Sequence, residues 1–279
     1  MTRYAICAAL LAALLAGCGP EKELPTDVPK ADGGAVQPTV PLKSDPEAVA
    51  TIDRAVKALT GGKPELLAKG KACRLTLKGQ MYSVDNSNQS IEATRTLAAA
   101  WPDRLHFIND SDAFGNKLVV ESWLRRPEFV VMRNGTEHRP PNPAEWEQNL
   151  ASDVVGQIWM AFLLPPTDPK AVVFDPQMIQ FDRHELKLVT VALGEFPLYQ
   201  LYFNTKSDAL ARVEYTTTEA GVPRRTTMIF SDHKPGPEGL LLPYRLECMH
   251  NKAIVEKWNV EKWEFPDAIK DDEFTPKKR

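Results

Sequence analysis

The sequence predicts a mainly β (α+β) protein: a large curved antiparallel sheet, an open half-barrel of about 11–12 strands, with helices covering its concave face. Three observations lead there. From Lys71 onward the apolar residues recur with period two in run after run, the mark of strands with one dry face and one wet face. Short Asn, Asp and Gly turn signals separate the runs, so neighbours in sequence pair antiparallel. Two segments carry helical spacing instead, one before the first strand and one in mid-chain. A sheet this wide has to curl, and if it does not close, its hollow side is a trough that helices can cover.

Residues 1–17 begin with a lone basic residue, Arg3, and an apolar run from Tyr4 to Leu15 that is too short to remain as a spanning helix. This is the pattern of a secretion signal. Leu15-Ala16-Gly17-Cys18 ends it on a cysteine and resembles the lipobox of bacterial lipoproteins. That resemblance implies cleavage before Cys18, lipid on its thiol and amine, and a mature chain anchored to a membrane outside the cytoplasm. Residues 18–44 hold Pro20, Pro25, Pro29, Pro38 and Pro41 among Gly, Lys, Glu and Asp, the composition of a disordered membrane tether. Residues 45–279 read as a single β domain, with no internal boundary and no repeat of solenoid length.

Within that domain, Ser44 or Asp45 caps a helix that has Pro46 at its first position and Ala48, Val49, Ile52, Val56 and Leu59 on one face. Gly61-Gly62 stops it, and Pro64 to Lys69 suits a further short turn. The first strand carries Cys73, Leu75, Leu77 and Met81 against Arg74, Thr76, Lys78 and Gln80. Similar runs follow at 90–98, 103–109, 116–124, 127–133, 171–182, 185–193, 197–204, 209–217, 223–231, 241–250 and 252–265. Turn signals lie at 85–88, 109–115, Asn134-Gly135, 182–184, Gly194-Glu195, 204–208, Ala220-Gly221 and His250-Asn251. Residues 144–164 have the length and the Trp146, Leu150, Val154, Ile158, Phe162 spacing of one helix, ended by Pro165-Pro166 and greasy on most sides near its end.

With 34 basic and 37 acidic residues and no dense basic block, the chain lacks the electrostatic footprint of a nucleic-acid binder. Of four cysteines, Cys7 leaves with the signal and Cys18 takes lipid, so Cys73 and Cys248 remain, either paired in a disulfide or buried as free thiols. None of the five histidines, His106, His138, His184, His233 and His250, stands at a metal-ligand spacing, and each reads as a solvated side chain beside a turn or on a wet strand face. The stretch from Asn109 to Asn116 has a faint calcium-loop look, but Phe114 stands where an oxygen ligand is required, and a hairpin turn explains it. Ser231-Asp232-His233 are strand neighbours pointing to opposite faces, and no nucleophile elbow occurs, so no catalytic residue and no enzyme is expected. No metal and no cofactor are implied. Arg125-Arg126 suits a solvated turn pair or a lipid phosphate. Arg95 interrupts an apolar strand side, so it meets a buried carboxylate, waits for an anionic head group, or is turned outward by a register shift.

The inward apolar positions are the binding candidates: Leu75, Leu77, Leu105, Phe107, Leu118, Val120, Val189, Val191, Leu201, Phe203, Met228 and Phe230, beneath Ile158 and Phe162 of the helix. The same residues serve equally as an ordinary packed core.

Helix, strands, helical insertion and further strands behind a lipobox resemble the LolA/LolB-like periplasmic lipoprotein-carrier family over about residues 46–276. The segments that carry it are Leu201-Tyr202-Phe203-Asn204 with the turn to Leu210-Ala211-Arg212-Val213, then Ser231-Asp232-His233 with 239–244, and finally Ile269 to Phe274 with Pro276. The chain departs from the family pattern at Asn204, Ser207-Asp208 and His233. The resemblance implies a curved sheet and a non-catalytic, membrane-anchored carrier that binds acyl chains of lipids or lipoproteins and hands them over. An envelope sensor or scaffold that binds a protein partner is the alternative. Gly19, where enteric relatives carry a retention Asp, leans the anchor towards the periplasmic side of the outer membrane. The sequence leaves the oligomeric state open.

Overall fold

The computed structural model describes residues 40–41, 43–83, 89–113, 115–181 and 184–276. The signal segment, Cys18, nearly all of the expected tether, the 85–88 turn, Phe114 and Asp182-Arg183 lie outside the described residues. One α-helix, α1 (Pro46–Thr60), and a 3-10 helix at Pro64–Lys71, where a short turn was expected, precede six strands: β1 (Ala72–Tyr82), β2 (Ser90–Ala100), β3 (Arg104–Ala113), β4 (Asn116–Arg125), β5 (Glu128–Arg133) and β6 (Thr136–His138). After a helical insertion come β7 (Val172–Phe181), β8 (His184–Ala192), β9 (Tyr199–Asn204), β10 (Leu210–Glu219), β11 (Val222–Pro235), β12 (Leu241–His250) and β13 (Ala253–Glu264).

All thirteen strands form one open antiparallel sheet in the order β6-β5-β4-β3-β2-β1-β13-β12-β11-β10-β9-β8-β7. Every neighbour is also a neighbour in sequence except β1 and β13, whose pairing zips two meanders together. Gly79 permits this seam, because a Cβ at that position would overlap the Lys257 carbonyl of β13. β6 and β7 are consecutive in the chain yet lie at opposite edges, so the segment joining them has to cross the hollow face. Twelve strands match the period-two runs. The thirteenth, β6, is three residues long, too short for alternation to show.

Asp45, not Ser44, caps α1: its carboxylate accepts from the backbone N–H groups of Glu47 and Ala48 at 2.7 and 3.2 Å. Gly61 ends the helix at φ 60°, and the Ala48, Ile52, Ala55, Val56 and Leu59 stripe packs on β7, β8 and β12. Ser44 serves the edge instead, its hydroxyl accepting from Val173 N at 3.0 Å. The mid-chain segment is not the single helix expected over 144–164. It begins as α2 (Pro143–Val154), widens into a π-turn at Val155–Trp159, tightens into a 3-10 turn at Met160–Phe162, and ends in a short turn at Leu164–Thr167. The change of pitch falls where Gly156 comes so close to the Tyr215 ring that a Cβ would overlap it. Leu163, at φ 56°, and the missing donors of Pro165 and Pro166 finish the break.

The main core fills the space between these helices and the concave face, centred on Trp159, Tyr199, Phe162 and Phe203. On the convex side Ile269 and Phe274 of the C-terminal segment cover Ala98 and Ala100, held by the ion pairs Arg74–Glu273 and Arg104–Asp271. The Asn109–Asn116 stretch is a hairpin, with β3 continuing to Ala113 beyond the expected turn start, so Asn109 and Ser111 are buried strand residues. Asp112 accepts from Gly115 N at 2.7 Å to close it.

Candidate functional site

Strand register builds the site. Leu77, Arg95, Asn109 and Val120 lie abreast across β1 to β4, and Leu97, Phe107, Ser122 and Val131 form the next row across β2 to β5, all on the hollow side. α2 spans this end of the sheet without filling it, leaving a partly open cavity of ≈ 190 Å³. Leu105, Phe107, Leu118, Val120 and Ile158, five of the predicted trough residues, line it. Leu97, Phe129, Val131, Leu150 and Val154 complete the apolar wall.

The other predicted trough residues lie in packed core and do not line the cavity. Leu75, Leu77, Phe162, Val189, Val191, Leu201, Phe203, Met228 and Phe230 are all buried in the main cluster, where α1 and the end of the insertion occupy the hollow. Period two reports which face a residue is on. It carries no information about which stretch of that face a helix will cover.

The hollow side is also not uniformly greasy. Arg95 points inward and meets a buried carboxylate: its Nη1 and Nη2 donate to Glu256 at 2.9 and 2.6 Å, and its Nε to Asn109 Oδ1 at 2.6 Å. The two side chains are only 14% and 7% exposed, and the guanidinium lies 4.5 Å over the Trp258 ring. Burial pushes the Glu256 carboxyl up, but the Arg95 charge, the Arg95 hydrogen bonds and the Trp258 N–H outweigh it and hold it below the usual carboxylate range. A second pair stands opposite: Arg224 Nη2 donates to both Asp153 oxygens at 2.8 and 2.9 Å, and Tyr215 O–H donates to Asp153 at 2.6 Å. Glu219 completes the polar end, 3.7 Å from Arg224 Nη1, its carboxyl raised by burial and by nearby Asp153 and Glu145 against the pull of Arg224.

His184 is exposed, as the solvated reading expects, whereas His106, His233 and His250 depart from it. His250 lines the cavity, and burial together with Arg224 lowers its pKa below the ordinary value, while His233 is lowered by burial. His106 stacks on Trp123 with centroids 5.0 Å apart and contacts Glu121 at 2.9 Å. Each lies where neighbouring elements pack over a strand face that looks wet in sequence. Arg126 is likewise not a solvated turn charge, since it pairs with Glu147 of α2 and with Glu195 and lies over Phe196. Cys73 and Cys248 are free and buried, not joined, and burial raises both thiols far above their ordinary range. Asp153, Glu219, Arg224 and Glu256 are the charged site residues that sequence reasoning missed. For Glu219, Arg224 and Glu256 the available signal was a charge at an inward-phased strand position, the signal that singled out Arg95; Asp153, on α2, carried no such signal.

No family model matches the chain, and no curated protein matches it in sequence. Among solved structures it is similar to a DUF1329 family protein from Desulfovibrio piger, at 8% identity and TM-score 0.50, covering 82% of this chain and 97% of that one. It is also similar to a LolA superfamily protein from Nitrosomonas europaea, at 9% identity and TM-score 0.48, covering 82% of this chain and 97% of that one. Such likenesses speak to fold alone. The chain and the DUF1329 family protein share a fold, here an open, curved antiparallel sheet with helices on its hollow side.

Proposed function

We propose that this chain is a membrane-tethered, non-catalytic carrier of the cell envelope, which binds the acyl part of a lipid or lipoprotein and hands it over. The observation that carries this reading is the cavity of ≈ 190 Å³ beneath α2, apolar over most of its wall and open on one side. Engineered apolar cavities of about 150 Å³ already take up benzene, so this one suits a short stretch of hydrocarbon, with the rest of a chain leaving through the mouth. Six buried methylenes at about 0.8 kcal/mol each contribute about 5 kcal/mol before any ordering cost. Binding of that strength is weak and exchangeable, as hand-over requires. The predicted lipid on Cys18 and the Pro-rich segment after it supply the tether, and a non-catalytic role fits the engagement of Glu256 and Asp153 in ion pairs.

The test is lipid extraction and mass spectrometry of the mature protein purified from its native envelope, beside Leu118→Trp, which fills the cavity. An amphiphile found on the parent protein and lost from a folded Leu118→Trp variant supports the reading. A stoichiometric protein partner retained by both, with no amphiphile on either, replaces it with a scaffold. Cys18→Ser is expected to move the chain from the membrane to the soluble envelope fraction.

A further inference from the structure

We infer that the cavity chooses its amphiphile by head group: it accepts an uncharged or cationic polar end, a hydroxyl or a primary amine, and rejects a carboxylate or phosphate. This rests on the amphiphile-binding reading above and specifies its ligand class. Both arginines that face the cavity are already committed. Arg95 places two guanidinium nitrogens on Glu256 and the third on Asn109, and its face lies over Trp258. Arg224 is bidentate to Asp153 through Nη2, gives Nε to Thr217 at 3.2 Å, and has Nη1 3.7 Å from Glu219.

Among the described lining residues three carboxylates therefore meet two guanidiniums; of the other titratable groups there, burial pushes the Cys248 thiol far up, and burial and Arg224 lower His250 against the pull of Asp153 and Glu256, so neither offers an anion a free cation. An incoming anion would have to displace a carboxylate from its own partner, inside low-dielectric walls that strengthen the repulsion. A donor head meets the opposite situation. Glu219 is held only by its 3.7 Å contact with Arg224 and keeps 27% of its side chain exposed, so its carboxylate is open to an ammonium or hydroxyl. Gln157 also lines the cavity, and its amide nitrogen makes a long 4.0 Å contact to Cys248 Sγ, so a second polar side chain faces the ligand space. Specificity of this kind comes from the unpaired group that the wrong ligand would leave.

The experiment is displacement of the uncharged fluorophore N-phenyl-1-naphthylamine from the mature protein at pH 7.5 by dodecylamine, dodecanol and dodecanoate, each below its micelle concentration. The amine and the alcohol are expected to displace the probe, with dodecanoate at least about tenfold weaker. Glu219→Gln, a change at a partly exposed side chain, should remove the advantage of the amine over the alcohol. Glu256→Gln, which releases Arg95, should improve dodecanoate by about tenfold. Dodecanoate equal to dodecanol on the parent protein, or two folded variants that leave the order unchanged, overturns the inference while leaving apolar binding intact. Failure of the probe and all three ligands to bind overturns the amphiphile reading with it.

Discussion

Removing one member of the Arg95–Glu256 pair is the sharpest test of the hollow side. In Glu256→Leu, two guanidinium N–H groups and the Trp258 indole N–H lose their acceptor, after making bonds of 2.6 to 2.9 Å in the parent. Breaking a buried pair by deleting one partner costs about 3–5 kcal/mol, and an orphaned indole N–H adds about 1–3. Arg95 keeps Asn109 and the Trp258 face, and the cavity lets water reach it, so the two costs do not add in full. The expected loss is about 4 kcal/mol, a large share of the roughly 5–15 kcal/mol that holds a domain folded. Arg95→Met with Glu256→Leu removes both charges and their desolvation, and should return to within about 1 kcal/mol of the parent. Urea unfolding of the four corners of this cycle measures the coupling. A Glu256→Leu loss below about 1 kcal/mol, or a double variant as weak as the single one, would refute a buried, mutually dependent pair.

Gly156→Ala must move the Tyr215 ring or the helix, so it should cost about 1–3 kcal/mol and lower the thermal midpoint, with an unchanged midpoint counting against the close approach. His233 and His250 have folded pKa values below 6.5, so the unfolded chain binds more protons than the folded one as pH falls through and below 6.5. Stability to urea should therefore decline from pH 7.5 to 5.5, and His250→Gln should flatten that decline; an equally steep profile in the variant would remove His250 from the account. Cys73 and Cys248 should resist a thiol reagent in the native protein and both react once it is denatured without reductant, whereas a denatured chain with no free thiol would reveal a disulfide.

Much of the architecture was legible in the chain because it is local. Period-two burial follows from the pleat, so Cys73, Leu75, Leu77 and Met81 declared their face before any partner was known. Asn134-Gly135 and Ala220-Gly221 declared hairpins because each turn needs a positive φ. The insertion was visible as helix but not as a broken one, since its change of pitch depends on where Tyr215, nearly sixty residues away, meets Gly156. The free cysteines were undecided in sequence for the same reason: two buried thiols on different strands look alike whether or not the fold brings them together.

By itself the sequence determined a wide antiparallel sheet, its inward and outward faces, and helices placed to cover it, because these depend on residues a few positions apart. Only the tertiary structure decided that β1 and β13 zip the two meanders together, and that the insertion packs one end of the hollow dry and leaves the other open. It also decided that the inward charges meet one another: Arg95 finds Glu256 across 161 positions and Arg224 finds Asp153 across 71. Those outcomes are set by long-range packing and by the cost of burying an unpaired charge, neither of which is written in any short window of the chain.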